Sequence, residues 1–208
     1  GVQITVYDSN FAPNPPIITG PDVSQKNIEQ TFSISTTDPE NEQIYYQVDW
    51  GDNETTDWLG PFLSGEVLTI SHTWTAAGFY SITARAKDNL DIVGSWSQPK
   101  QIQVTEPEIT IQNISIGIGK ISFDICNSGT GSALNVTWTI TLNGQNIFMG
   151  QESSGLLLEI PAHEKSMLSS SFIFGFGPVT IQLAATAENY SSDEKNLDAN
   201  LFAFFIIT

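Results

Sequence analysis

One cysteine, two histidines and seven basic residues are all that 208 positions hold of the groups on which most site chemistry is built. The lone Cys126 forms no internal disulfide. It follows Ile125 in an apolar run, where a small core residue is expected. The lack of disulfides does not exclude secretion; it means that the domains fold without staples. Seven basic against 23 acidic residues give a net charge of −16, spread over both halves of the chain. That leaves no basic patch and excludes nucleic acid and anionic membrane surfaces as partners. Clustered carboxylates do suit divalent cations; the plainer reading of the acidity is that it keeps an exposed protein soluble. No apolar run is long enough to cross a bilayer: Leu201–Ile207 is very apolar but far too short, and reads as a buried strand. With neither an initiator Met nor a signal peptide, the chain reads as a mature form or an excised piece, any anchor lying outside it.

The scarcity extends to catalytic motifs. His163-Glu164 has no second histidine at zinc-protease spacing. A G-x-S-x-G elbow, a phosphate-binding loop and a dinucleotide fingerprint are all missing. Carboxylate pairs leave glycosidase chemistry open by residue type alone, but short strands around small cores offer no deep cleft. The chain therefore reads as a non-enzyme.

What is present is alternation with period two. Phe32, Ile34 and Thr36 alternate with polar residues, as do Ile82, Ala84 and Ala86, and again Val136, Trp138 and Ile140. Charge is scarce and polarity sits on Ser, Thr, Asn and Gln, which suit the exposed faces of strands. Turn signals divide the strands: Gly51-Asp52-Asn53, Ala77-Gly78, Lys87-Asp88-Asn89 and Asn127-Ser128-Gly129. Asn143-Gly144, between Ile140-Thr141-Leu142 and Ile147-Phe148, predicts a hairpin. The pattern is that of an all-β protein of two antiparallel sandwiches. Residues 1–13 hold an extra strand and a proline-rich linker, 14–105 the first sandwich and 106–208 the second, with Thr105-Glu106-Pro107 as the short joint. Trp50, Trp74, Ile82 and Ala84 are expected in the first core, and Trp138, Ile140, Phe172 and Phe174 in the second.

The first sandwich resembles the polycystic kidney disease (PKD) family. The resemblance lies in Val48-Asp49-Trp50-Gly51-Asp52-Asn53, Ser71-His72-Thr73-Trp74, Gly78-Phe79-Tyr80 and Ala86-Lys87-Asp88-Asn89, in the family's order and spacing. Trp50 stands where the family has Phe, Asn53 where it has Gly and Trp74 where it has Tyr. His72, between two tryptophans, reads as a structural ring bridging two backbone groups. The second sandwich resembles the CARDB family (cell-adhesion-related domains of bacteria, also found in archaea) through Ile121–Gly129, Ala133-Leu134-Asn135-Val136 and the turn Ile160-Pro161-Ala162-His163. Both families look like immunoglobulin-type sandwiches that recur in tandem on prokaryotic cell surfaces and in secreted proteins.

The resemblance to PKD domains implies a calcium site between the linker and two acidic loops, at Asn14, Asp38 and Asp88 with Glu40 beside them. Asp38-Pro39-Glu40-Asn41-Glu42 departs from the family's D-x-D-G-D loop yet still offers hard oxygen ligands. Four N-x-[ST] sequons stand at Asn53, Asn113, Asn135 and Asn189, a number close to the roughly three expected by chance from so much Asn, Ser and Thr. Asn53, at a turn tip, is the best glycan acceptor. Three functions fit: a structural subunit of a surface layer, sheath or filament; an adhesive or ligand-binding ectodomain module; or an accessory module of a secreted hydrolase. The subunit would associate with itself or with other surface proteins. Its route is donation of the strand bearing Val2, Ile4 and Val6 to a neighbour, with the second sandwich as acceptor. An accessory module would use exposed aromatics, for which Trp58 and Trp96 are the candidates.

Overall fold

A computed structural model describes residues 9–188 and 191–207. The proposed donor strand with Val2, Ile4 and Val6, and the sequon at Asn189, lie outside the described residues. The chain divides into two compact units between Val104 and Thr105. Both are built from antiparallel sheet, with no helix among the described residues.

The first unit holds β1 (Ile17–Thr19), β2 (Val23–Gln25), β3 (Gln30–Ser35), β4 (Ile44–Asp49), β5 (Leu59–Phe62), β6 (Leu68–His72), β7 (Gly78–Asp88) and most of β8 (Lys100–Thr105). They form a three-stranded sheet, β1-β3-β6, and a five-stranded sheet, β2-β8-β7-β4-β5. Alternation puts Phe32 and Ile34 of β3 and Tyr46 and Val48 of β4 into the core, the latter two paired with Ala86 and Ala84 of β7. The alanines leave room for a wedge of large rings. Phe32, Trp50 and Trp74 meet edge to face or tilted, with centroids 5.7–6.1 Å apart. Trp50, Trp74, Ile82 and Ala84 are all buried. The Tyr46 hydroxyl, sealed in the core, accepts from the Thr36 N–H at 3.0 Å and donates to the Glu66 carbonyl at 3.1 Å. Burial pushes its pKa up.

The second unit holds β9 (Ile109–Gly117), β10 (Lys120–Asn127), β11 (Ala133–Asn143), β12 (Asn146–Met149), β13 (Glu152–Ile160), β14 (Lys165–Ser169), β15 (Phe174–Thr186), β16 (Ser192–Ala203) and β17 (Phe205–Ile207). One sheet runs β14-β10-β9; the other runs β13-β11-β15-β16-β17, with β12 also on β15. Ile121, Phe123, Ile125, Val136, Ile140, Ile181 and Leu183 fill the core between them.

Several expectations are corrected here. Asn143-Gly144 does not close a hairpin: β12 pairs with β15, not with β11. It continues along the same edge of β15 after β11 has left it. Pro178 of β15 has no N–H to give to the ladder, and Gly144 lies so close to Val179 and Pro178 that a Cβ there would stand 2.6 Å from the Val179 side chain. The Asn-Gly pair takes the chain around this break. Phe172 is exposed and Phe174 half-buried; Ile173 takes the core place. Trp138 is half-buried against the core. Cys126 is half-buried too, opposite Lys165 on β14, while Ile125 is the core residue. Leu201–Ile207 is not one buried strand but a tight reversal from β16 into β17, burying Leu201 and exposing Phe202, Phe204, Phe205 and Ile207.

One buried charge stands near this core. Between Phe123 and Ile125, whose side chains enter the core, Asp124 faces the other side of β10 and is nonetheless buried; its Oδ2 accepts from Lys165 Nζ at 2.7 Å and from Asn113 Nδ2 at 2.8 Å, Asn113 standing at the register shift on β9. The Lys165 and Asn113 hydrogen bonds hold the Asp124 carboxyl below its usual range, and the Asp124 hydrogen bond raises Lys165. A depressed carboxylate pKa contributes stability that is present above the ordinary carboxylate range and lost as pH falls through the folded-state value. In urea melts of the full chain, Asp124→Asn is therefore expected to lower stability at pH 7, and the gap to the parent should close as pH drops below that range. A gap independent of pH would refute this role of the charge.

Candidate functional site

The loop after β3 and the loop after β7 lie side by side because Ile44, at the start of β4, pairs with Asp88, at the end of β7. Each loop winds around one carboxylate. Asp38 Oδ1 accepts from the Glu40 and Glu42 N–H groups at 3.0 and 3.1 Å. Asp88 Oδ1 accepts from those of Leu90 and Ile92 at 2.8 and 2.9 Å. Both side chains are buried, Asp38 with 5 % and Asp88 with 0 % of its surface exposed. The linker runs across them. Asn10 Nδ2 donates to Asp88 Oδ2 at 2.7 Å, and the Phe11 N–H to Glu40 Oε2 at 3.1 Å. Gly94 lets the linker lie this close: a Cβ on it would stand 2.3 Å from the Pro13 carbonyl oxygen.

This arrangement leaves oxygen atoms over. Asn10 Oδ1, Asp38 Oδ2 and Glu42 Oε2 are shut off from solvent and accept no hydrogen bond. Burial, then the charges of Asp88, Asp38 and Glu40, push the Glu42 carboxyl above its usual range. Hard oxygen donors gathered with no cationic partner are the donor set of a calcium ion. As placed, no three His, Cys, Asp or Glu side chains among the described residues are grouped closely enough to hold a metal, so an ion would have to draw the carboxylates inward. Of the positions expected from sequence, Asp38, Glu40 and Asp88 come together. Asn14 does not join them: its side-chain amide donates to the Thr37 carbonyl and hydroxyl at 3.2 Å. Asn10 and Glu42 join in its place. Glu42 was legible as part of the acidic run; Asn10, four residues before Asn14, carried no signal of its own.

His72 has a different role from the backbone bridge expected. Its Nε2 lies 2.7 Å from Asp52 Oδ2, its ring stacks on Trp50 at 4.6 Å and 5°, and it meets Trp74 edge-on at 4.7 Å. Asp52 Oδ1 accepts from the Glu54 N–H at 3.1 Å. The carboxylate thus ties the Gly51–Asn53 turn, where Gly51 and Asn53 have positive φ, to the aromatic wedge.

The two tryptophans expected to offer free faces are already occupied. Arg85, the chain's single arginine, has its guanidinium 4.6 Å from the Trp96 centroid and 5.5 Å from that of Trp58. Lys87 Nζ lies 5.1 Å from Trp58 and 5.5 Å from Tyr45. Gln47 Oε1 accepts two hydrogen bonds from Arg85. These rings serve first as partners for the unit's own cations.

The three described sequons differ. Asn113 gives its amide to Asp124 and Asn135 to Glu188. Asn53 stands exposed at a φ of 74°, with no side-chain partner among the described residues.

No family model matches the chain, and no curated protein matches it. Among solved structures, it is similar to the PKD domain of an M14-like peptidase from Thermoplasmatales archaeon SCGC AB-540-F20. The identity is 38 % and the TM-score 0.45; the match covers 46 % of this chain and 98 % of that one.

Proposed function

We propose that the chain is a non-enzymatic extracellular module in which calcium pins the linker to the PKD-like unit. The observation that carries the reading is the set of buried, unpaired oxygens on Asn10, Asp38 and Glu42, flanked by Asp88 and Glu40. These five residues would hold the ion, and the ion would supply the positive charge that the cluster lacks. Sites in extracellular modules work at the submillimolar to millimolar calcium of their surroundings. The ion's effect here is mechanical: it turns a linker held by two side-chain hydrogen bonds into one fixed at a common centre.

Calcium at about a hundred times its dissociation constant adds on the order of 2.7 kcal/mol to the folded state. For a unit of this size that raises the midpoint by on the order of 10 °C. Differential scanning calorimetry of the full chain is expected to show one transition rising by that amount with calcium and falling back with chelator. Asp88→Asn and Asp38→Asn keep an acceptor for the loop N–H groups but remove the charge, so they should abolish the shift. A melting profile indifferent to calcium and chelator would overturn the calcium site.

A second reading, accessory module of a secreted hydrolase, is favoured by one observation: the 38 % identical neighbour is, by its name, the PKD domain of a peptidase. The filament reading with strand donation rests on Val2, Ile4 and Val6. Deletion of residues 1–10 tests it, since assembly that survives the deletion is incompatible with donation. For glycosylation, mass spectrometry of protein from a glycosylating host should find Asn53 occupied well above Asn113 and Asn135. Equal occupancy would show that the hydrogen bonds of the latter two do not protect them.

A further inference from the structure

The outer face of the larger sheet in the second unit changes character along its strands. On β15 and β16 the outward positions nearer Thr186 and Ser192 carry Gln182, Thr180, Glu194, Asn196 and Asp198. Side-chain hydrogen bonds run between them, from Thr180 to Asp198 at 3.0 Å and from Gln182 to Glu194 at 2.7 Å. Toward the other end the same face carries phenylalanine. Phe176 stands opposite Phe202, and Phe202 opposite Phe205, so three rings share one row across β15, β16 and β17. Phe148 of β12 packs on Phe174 and Phe176 at 5.8 and 6.4 Å, and Phe204 on Phe205 at 4.8 Å. Leu201 and Ile206 turn the other way, into the core. The rings sit at the end of the unit away from Thr105, where the Gly119 N–H donates to the Phe204 carbonyl and the Ile173 N–H to that of Gly119.

Phe148, Phe176, Phe202, Phe204 and Phe205 expose between 40 and 64 % of their surface. At about 200 Å² per phenylalanine, that is on the order of 500 Å² of apolar ring in water. A single patch of this size is at the upper limit for a monomer. No side chain in the patch is charged, in a chain with a net charge of −16. We infer that this face is a two-fold interface on which a second copy of the chain lays its own phenylalanine row. Two such faces bury on the order of 1,000 Å² in all, about the least area a specific interface needs. Because one patch meets its own copy, the contact closes at a dimer. The charges fix its sense. Packed with strands running in opposite directions, the copies carry Glu194 and Asp198 away on opposite sides; packed in the same direction, they would stack those carboxylates on their counterparts. The inference is independent of the calcium reading, since no ligand of that cluster lies in this unit.

Sedimentation velocity of the full chain over a concentration series tests it. The expected result is a monomer–dimer equilibrium that tightens with added salt, as repulsion between the acidic copies is screened. Phe202→Asp places a charge in the buried row and should raise the dimer dissociation constant at least about tenfold, with the thermal midpoint measured at concentrations where the parent is monomeric little changed, because the ring is largely exposed in the monomer. Phe148→Glu on the neighbouring strand should do the same, and serves if Phe202→Asp fails to fold. Leu158→Asp, still more exposed on β13 but outside the patch, should leave the dimer intact. The proposal is overturned by a chain that stays monomeric at every concentration. It is overturned equally by dimers that survive both phenylalanine substitutions, or by species that keep growing beyond the dimer. Binding to phosphatidylcholine vesicles that Phe202→Asp abolishes, in a chain that forms no dimer, would reassign the face to a membrane.

Discussion

The first unit is organised around two buried carboxylates, Asp38 and Asp88, with which no cationic side chain pairs among the described residues. Asp38 and Asp88 use the same device. One oxygen accepts the backbone N–H groups two and four residues on, and this closes the loop into a compact turn. Charge-assisted bonds of this kind offset much of the cost of taking a carboxylate out of water. They also commit only half of the group. On Asp88 the second oxygen takes the Asn10 amide; on Asp38 it takes nothing. Lys87, next in sequence to Asp88, lies on the opposite side of its strand and pairs with Asp91. The unit therefore places two carboxylates where the sheet geometry requires turns, and the proposed calcium ion would supply the charge that neutralises them. The course of the linker and the calcium reading follow from that constraint, and the charges of Asp88 and Asp38 add to burial in raising the Glu42 pKa.

Sequence was a good guide wherever one face of a strand is covered. Phe32 and Ile34, Val48, Ile82 and Ala84, and Val136 and Ile140 alternate with polar neighbours, and the burial follows residue by residue. A slip of one position would turn each of those sets to solvent, so pattern and register are tightly coupled. The turn at Gly51-Asp52-Asn53 was legible for a similar reason, since its positive dihedrals favour glycine and asparagine. The acidic loops were legible as a composition but not as a geometry. Asn10 and Asn14 are the same residue type in the same linker, and which of them reaches Asp88 depends on how Pro13 seats against Gly94, a contact across eighty residues. His72 likewise met a side chain, Asp52, where sequence suggested only backbone.

The misreadings in the second unit share a different cause. Asn143-Gly144 has the composition of a hairpin, but Pro178 on the facing strand breaks the ladder there, and the same residues carry the chain along β15 instead. Phe172 and Leu201–Ile207 are apolar, and apolarity alone suggests a core. Period two allows a strand only one buried face, and apolar residues on both faces mean that one set is left over. In β16 and β17 the left-over set is Phe202, Phe205 and Ile207.

That surplus sits in a unit whose smaller sheet has its edges partly occupied by its own side chains. The outer N–H groups of β9, at Ile109 and Ile111, are taken by the side chains of Ser191 and Asp193 at 2.8 and 2.7 Å, so this edge cannot add a foreign strand there. The opposite edge of the same sheet begins with Lys165, whose ammonium is held by Asp124. Farther along β15 and β16, the outward positions are polar and bonded to one another. On β15 and β16 one end of the outer face spends polar side chains on one another, and the other end carries phenylalanine in their place. Indifference to exposure does not produce that contrast, because the same two strands carry both patterns within twelve residues. A local requirement for apolar surface does, and it lies on the outer face, where the unit's own core makes no use of it.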